Sequence, residues 1–119
     1  MDEIAIGEVV RRSGVPASTL RYYEERGLIA PVRRQGTARV FAPAVVEQLA
    51  LIAVCRTAGF SLDDITLMFD PYGRPSSDRA MLAAKADELD VTIGKLVVMR
   101  DDLRHASVCP ASSHAECQP

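Results

Sequence analysis

The sequence predicts a mainly α-helical protein, a winged helix-turn-helix head followed by one long helix. Three observations carry this expectation. Two short segments with helical spacing are each stopped by a glycine and joined by about three residues around Gly14, Val15 and Pro16. Two arginine-bearing arms, "VRR" and "ARVF", flank Gly36. An apolar stripe stepping by four and three then runs from Leu82 to Leu103.

The elements follow in order. In "IAIGEVVRRSG", Ile6, Val9 and Val10 share one face and Gly14 provides a left-handed stop. In "VPASTLRYYEERG", Pro16 suits a helix start because its φ is preset and its missing N–H is not needed there. Gly27 ends that second helix. Pro31 forbids its continuation, and Gly36 marks the turn of a two-stranded wing. Val45, Val46, Leu49, Ile52 and Ala53 recur at helical spacing until Gly59. Cys55 falls within that pattern and reads as core. "SLDDITLMF" reads as a fourth helix, with Ser61 as N-cap and Asp63 and Asp64 in the first turn, where the helix dipole favours carboxylates.

"DPYGRPSS" is rich in turn residues. It divides the chain into a head over residues 1–70, a linker over 71–76, a long helix over 77–107 and a cysteine-bearing tail over 108–119. In the long helix, Leu82, Ala86, Leu89, Ile93, Leu96, Arg100 and Leu103 form a 3.5-residue seam, the pattern of a coiled coil. No second long helix is available in the chain to cover it, so a second copy is the economical partner and a homodimer is expected. The alternative is packing of this helix against its own head.

Charge is unevenly distributed. The 119 residues carry a formal net charge of −2. Residues 9–39 hold seven arginines, Arg11, Arg12, Arg21, Arg26, Arg33, Arg34 and Arg39, against Glu24 and Glu25, a local charge of +5. Arginine forks suit phosphates and guanine edges, so this segment reads as a nucleic-acid footprint, the alternative being a solvated basic face. No apolar run reaches the roughly 20 residues that span a bilayer, and "MDEIAIGEVV" lacks the basic start and apolar core of a signal peptide. No membrane association and a cytoplasmic location are therefore expected. No nucleophile–base pairing, glycine-rich phosphate loop or pair of acids points to an enzyme.

The stretch "IGEVVRRSGVPASTLRYYEERGLIAPVRRQGTARVF" resembles the DNA-binding domain of the MerR family of bacterial transcription regulators. The likeness continues through "VEQLALIAVCRTAGFSLDDI" and the long helix. It implies a homodimer joined by an antiparallel coiled coil, bound to a near-palindromic promoter operator in double-stranded DNA. The DNA would be bent and untwisted so that RNA polymerase can use both promoter elements, with an effector biasing which DNA shape is held. Carried over residue by residue, Arg21 is the candidate for major-groove contact. Thr19 and Tyr22 beside it are candidates for phosphates or bases, while Tyr23 is as readily core. Arg33, Arg34 and Arg39 of the wing should meet the DNA backbone. Where relatives often carry "GYRxY", this chain has "GTARVF", and Phe41 in the tyrosine's place reads as core.

The tail ends in "CPASSHAEC". Cys109 and Cys117 flank seven residues, and His114 lies between them. Two thiolates on a short loop suit soft ions that accept linear coordination, Cu(I), Ag(I), Au(I) or Hg(II). Zinc normally takes four ligands, or three and a water. The placement resembles the metal-binding loop of the copper- and zinc-responsive branches, and the spacing resembles the copper-responsive one. Divalent-metal relatives also use a cysteine near the start of the long helix, where this chain has "RPSSDRA". A soft metal ion such as Cu(I) is thus the expected effector, held by Cys109 and Cys117 with His114 as a candidate third donor. Two alternatives stay open: a reversible disulfide sensing oxidants or electrophiles, and a DNA-binding protein without a ligand. His105, one turn before Cys109, reads as a favourable cation at a helix C-terminus.

Overall fold

The structure is a computed structural model in which residues 2–36 and 38–109 are described. His114 and Cys117, the other two expected metal donors, lie outside the described residues. The elements are β1 (Ile4–Ala5), α1 (Ile6–Ser13), α2 (Ala17–Glu25), β2 (Arg33–Gln35), β3 (Ala38–Phe41), α3 (Val45–Thr57), α4 (Leu62–Met68) and α5 (Arg79–Val108). The chain divides into two compact units after Leu82.

Local chemistry explains several boundaries in the head. Gly14, at φ 74°, ends α1 and donates its N–H to the Val10 carbonyl at 2.9 Å. Ser13 reinforces the turn: its hydroxyl donates to the Val9 carbonyl at 2.6 Å and accepts the Val15 N–H at 3.1 Å. Pro16 is the N-cap of α2, and Gly27, at φ 78°, follows its end. Ser61 caps α4 in a reciprocal box. Its hydroxyl accepts the Asp64 N–H at 3.0 Å, and the Asp64 carboxylate accepts the Ser61 N–H at 3.2 Å. Such caps contribute about 1 kcal/mol each.

The wing forms as expected, and a strand the sequence did not reveal extends it. The sheet order is β1-β3-β2, antiparallel throughout. Ile4 pairs with Phe41 and Ala5 with Val40, while Arg33, Arg34 and Gln35 pair with Val40, Arg39 and Ala38. The hairpin is thereby anchored along its inner edge to the start of α1. α1 also packs against α2, α3 and β3. Val9, Leu20, Ile29, Phe41 and Ile65 fill the centre, each at most 2% exposed. Burying such a side chain stabilises by about 1.5–3 kcal/mol. Phe41 and Cys55 are both core, and burial pushes the Cys55 thiol pKa up, which keeps it protonated.

The segment after α4 is an ordered turn. Phe69 and Pro75 form an antiparallel bridge. The Asp70 carboxylate accepts the N–H groups of Arg74 at 2.9 Å and Tyr72 at 2.8 Å, and pairs with the Arg74 guanidinium. Gln48 of α3 donates from its amide to the Leu28 carbonyl at 2.8 Å and the Pro71 carbonyl at 2.7 Å. One side chain thus joins the exit of α2 to the turn that precedes α5. Asp78 opens α5, its carboxylate accepting the Met81 N–H at 3.1 Å.

α5 is continuous for 30 residues, about 45 Å at 1.5 Å per residue. None of its residues is buried. Ile93, Leu96 and Leu103 of the predicted seam are each more than half exposed, as are Val98 and Met99 beside them. No helix among the described residues is long and apolar enough to cross a membrane.

The Asp70 turn has a pH signature. The Arg74 N–H, foremost, and the Tyr72 N–H hold the Asp70 pKa below the ordinary carboxylate range. Its contribution is therefore fully present above the unfolded pKa of about 4 and lost as pH falls through the lower folded value. Thermal melts should lose stability over that acid window, and Asp70→Asn should flatten the loss. A melting profile insensitive to this substitution would show that the turn does not couple to folding.

Candidate nucleic-acid interface

Helix α2 is amphipathic by burial. Leu20 faces the core at 1% exposed. Ser18, Arg21, Tyr22 and Glu25 face solvent, at the i, i+3, i+4, i+7 spacing of one helical face. Thr19 lies on the flank, part-buried, and so does Tyr23. The Tyr22 and Tyr23 rings sit 6.5 Å apart at 42°. Arg21 is exposed and forms no ion pair among the described residues. Its guanidinium therefore keeps its full donor set.

The wing arginines are arranged differently. Arg34 and Arg39 stand directly opposite each other across β2 and β3. Like charges in that position repel. Glu24 of α2 offsets the repulsion. One carboxylate oxygen lies 2.6 Å from Arg39 Nε and the other 3.9 Å from Arg34 Nη2. The Arg39 contact is close but not aligned as a hydrogen bond, so it acts as a charge contact. Arg33 pairs with Glu3, just ahead of β1, at 2.6 Å. The wing is thus tied to α2 through Glu24 and to the N-terminal strand through Glu3. Partly exposed pairs of this kind contribute about 0–1 kcal/mol, little enough for a phosphate to compete for the arginines.

Two further basic groups lie nearby in the fold. Arg11 and Arg12, at the end of α1, both bind Glu8. Their hydrogen bonds, that of Arg11 first, lower the Glu8 pKa. Arg26, following α2, donates to the Tyr22 hydroxyl at 2.8 Å and to the Asp63 carboxylate of α4. The helical repeat could have marked Ser18 as sharing a face with Arg21 and Tyr22. The counter-charges Glu3, Glu24 and Asp63 had no sequence signal, because each pairs with residues distant in the chain.

At the other end, Cys109 directly follows α5, its N–H donating to the His105 carbonyl at 3.0 Å. Among the described residues no cluster of three His, Cys, Asp or Glu side chains could hold a metal.

Comparison with known proteins identifies this architecture. Residues 4–70 match the family described as MerR HTH family regulatory protein, and residues 46–106 match the one described as MerR, DNA binding. The chain belongs to the MerR family. MerR proteins are DNA-binding transcription regulators rather than enzymes. Among curated MerR relatives, the HTH-type transcriptional regulator HmrR of Rhizobium leguminosarum is 33% identical, over 94% of this chain and 91% of its own. The regulator CueR of Vibrio cholerae is 31% identical, over 94% and 85%. Among solved structures, HiNmlR, a MerR family regulator bound to promoter DNA, superposes with a TM-score of 0.65 at 22% identity, covering 88% of this chain and 87% of that one. PbrR691 of Ralstonia metallidurans CH34, in complex with lead(II), gives 0.56 at 25% identity, covering 96% and 94%.

Removing the counter-charge tests how this MerR wing uses its arginines. Glu24→Gln should cost less than about 1 kcal/mol of stability. It should also steepen the salt dependence of DNA binding, because Arg34 and Arg39 lose their internal partner. Fluorescence anisotropy between 50 and 200 mM salt reads the slope, and an unchanged slope would place both arginines outside the interface.

Proposed function

We propose that this MerR-family regulator binds a promoter operator as a homodimer and distorts the DNA in response to a soft metal ion of the Cu(I) type, held by Cys109 and Cys117, with His114 as a candidate third donor. The observation that carries the DNA-binding geometry is the solvent face of α2. It presents Arg21, without an ion pair among the described residues, beside Tyr22, with Thr19 part-buried on the flank, and the same head carries a wing of three arginines. Arg21 reads base edges in the major groove. Thr19 and Tyr22 fix the helix against the DNA, and Arg33, Arg34 and Arg39 bind phosphates, exchanging Glu3 and Glu24 for the DNA backbone. These wing contacts position the protein and make affinity salt-dependent without reading sequence.

The homodimer is supported by the exposed seam of α5. A 30-residue helix with Ile93, Leu96 and Leu103 in water recovers about 1.5–3 kcal/mol for each such side chain it buries, and a second antiparallel copy supplies a matching stripe. RNA polymerase is the partner that uses the distorted promoter.

The effector reading rests on donor chemistry. Cys109 is disulfide-bonded in this structure; once reduced, the two cysteines offer thiolates, which favour a soft monovalent ion over zinc. The start of α5, "RPSSDRA", offers no thiol to complete a divalent site. Cys109 follows the last turn of α5 directly, so an ion bound there acts at the end of the dimerisation helix.

Two experiments test this function. An operator duplex is first selected from a random-sequence library by the wild-type protein. Arg21→Ala should weaken binding to it by about 1–3 kcal/mol and relax specificity at the contacted base pair, and an unaltered footprint would remove Arg21 from the interface. The double variant Cys109→Ser, Cys117→Ser should lose tight Cu(I) and Ag(I) binding under anaerobic reducing conditions while retaining operator affinity without metal. Retention of Cu(I)-dependent transcription by that variant would eliminate the tail as the sensor.

A further inference from the structure

Arg26 has no place in the interface described above, yet its guanidinium bridges two helices of the head. One guanidinium nitrogen, Nη1, donates to the Tyr22 hydroxyl oxygen at 2.8 Å. The other, Nη2, donates to the Asp63 carboxylate in the first turn of α4. The guanidinium carbon also lies 5.7 Å from the centroid of the Tyr22 ring, within cation–π range. Asp63 is 37 positions away in sequence, so the arrangement ties the end of the recognition helix to a separate helix.

The donor inventory gives this geometry a consequence. A phenol has one O–H donor and two acceptor lone pairs. Arg26 can only donate, so it fills a lone pair and cannot accept the phenol hydrogen. The Tyr22 O–H must then point elsewhere. Tyr22 is 45% exposed, on the same face of α2 as Arg21. No acceptor for its O–H is found among the described residues. The Arg26 charge, meanwhile, is balanced locally by Asp63.

We infer that Arg26 is a positioning residue for DNA binding: held by Asp63, it fixes the Tyr22 ring and leaves the Tyr22 hydroxyl aimed outward as a donor to a DNA phosphate oxygen. The inference rests on the reading of Tyr22 as a DNA contact. Arg26 itself does not bind phosphate in this arrangement, because its fork is already divided between the phenol and the carboxylate. A neutral donor–phosphate bond fixed in this way adds affinity without releasing a counterion.

A double-mutant cycle on the selected operator duplex separates the possibilities. Tyr22→Phe and Arg26→Ala should each weaken binding about fivefold, the size of one net hydrogen bond. The double variant should bind no more weakly than Tyr22→Phe alone, and the salt slope should be the same in all four proteins. Circular dichroism confirms that each is folded, and Arg26→Gln, which keeps most of the aliphatic stem, replaces the alanine variant if that one is not. Equal losses from the Arg26 substitution in both backgrounds would overturn the inference. So would a slope shallower by about 0.9, the mark of a phosphate contact made by Arg26 itself. Wild-type affinity in Tyr22→Phe would instead remove Tyr22 from the interface, and the positioning role with it.

Discussion

The head is organised around the burial of one short helix. α1 has eight residues, and Val9 at its centre is fully excluded from solvent. A helix this short is unstable alone, so it persists only because α2, α3, β1 and β3 all lie against it. This has a geometric consequence: the recognition helix and the wing are referred to the same support. With Leu20 committed to the core, the Ser18–Arg21–Tyr22 face of α2 has no choice but to face solvent.

Electrostatics refines what packing establishes. The arginine-rich surface repels itself, most acutely where Arg34 opposes Arg39. Glu24 and Glu3 answer this with partly exposed pairs that hold the wing in register, while Asp63 holds Arg26. The modest worth of the two wing pairs suits the proposed exchange for phosphate, since deeply buried pairs could not be exchanged. Among the described residues Arg21 is left without such a partner, as the proposed base contact requires.

Gln48 gives the head a mechanical link toward α5. Its amide binds carbonyls of Leu28 and Pro71, so the exit of the recognition helix and the turn before the long helix share one set of hydrogen bonds. Asp70 stiffens that turn from within. Under the proposed function, an effector at the far end of α5 needs an ordered connection here, because a slack segment cannot transmit a displacement.

Much of this was legible from residues alone. Gly14, Gly27, Pro31, Gly36 and Ser61 punctuate the chain through backbone chemistry that does not depend on context. The seam of α5 is a periodicity, and Leu20 against Arg21 and Tyr22 is a helical face, so both can be read locally. Only the tertiary structure decided the rest. β1 is two residues long and has no pattern of its own; it exists because β3 offers it a partner. The division of arginines into free and paired depends on acids placed by the fold, with Glu3 set 30 positions from Arg33 and Asp63 set 37 from Arg26. Local sequence specifies where a helix or turn must stop, because those costs are paid within a few residues. Which charges meet depends on how distant segments pack, and that is settled only when the core closes.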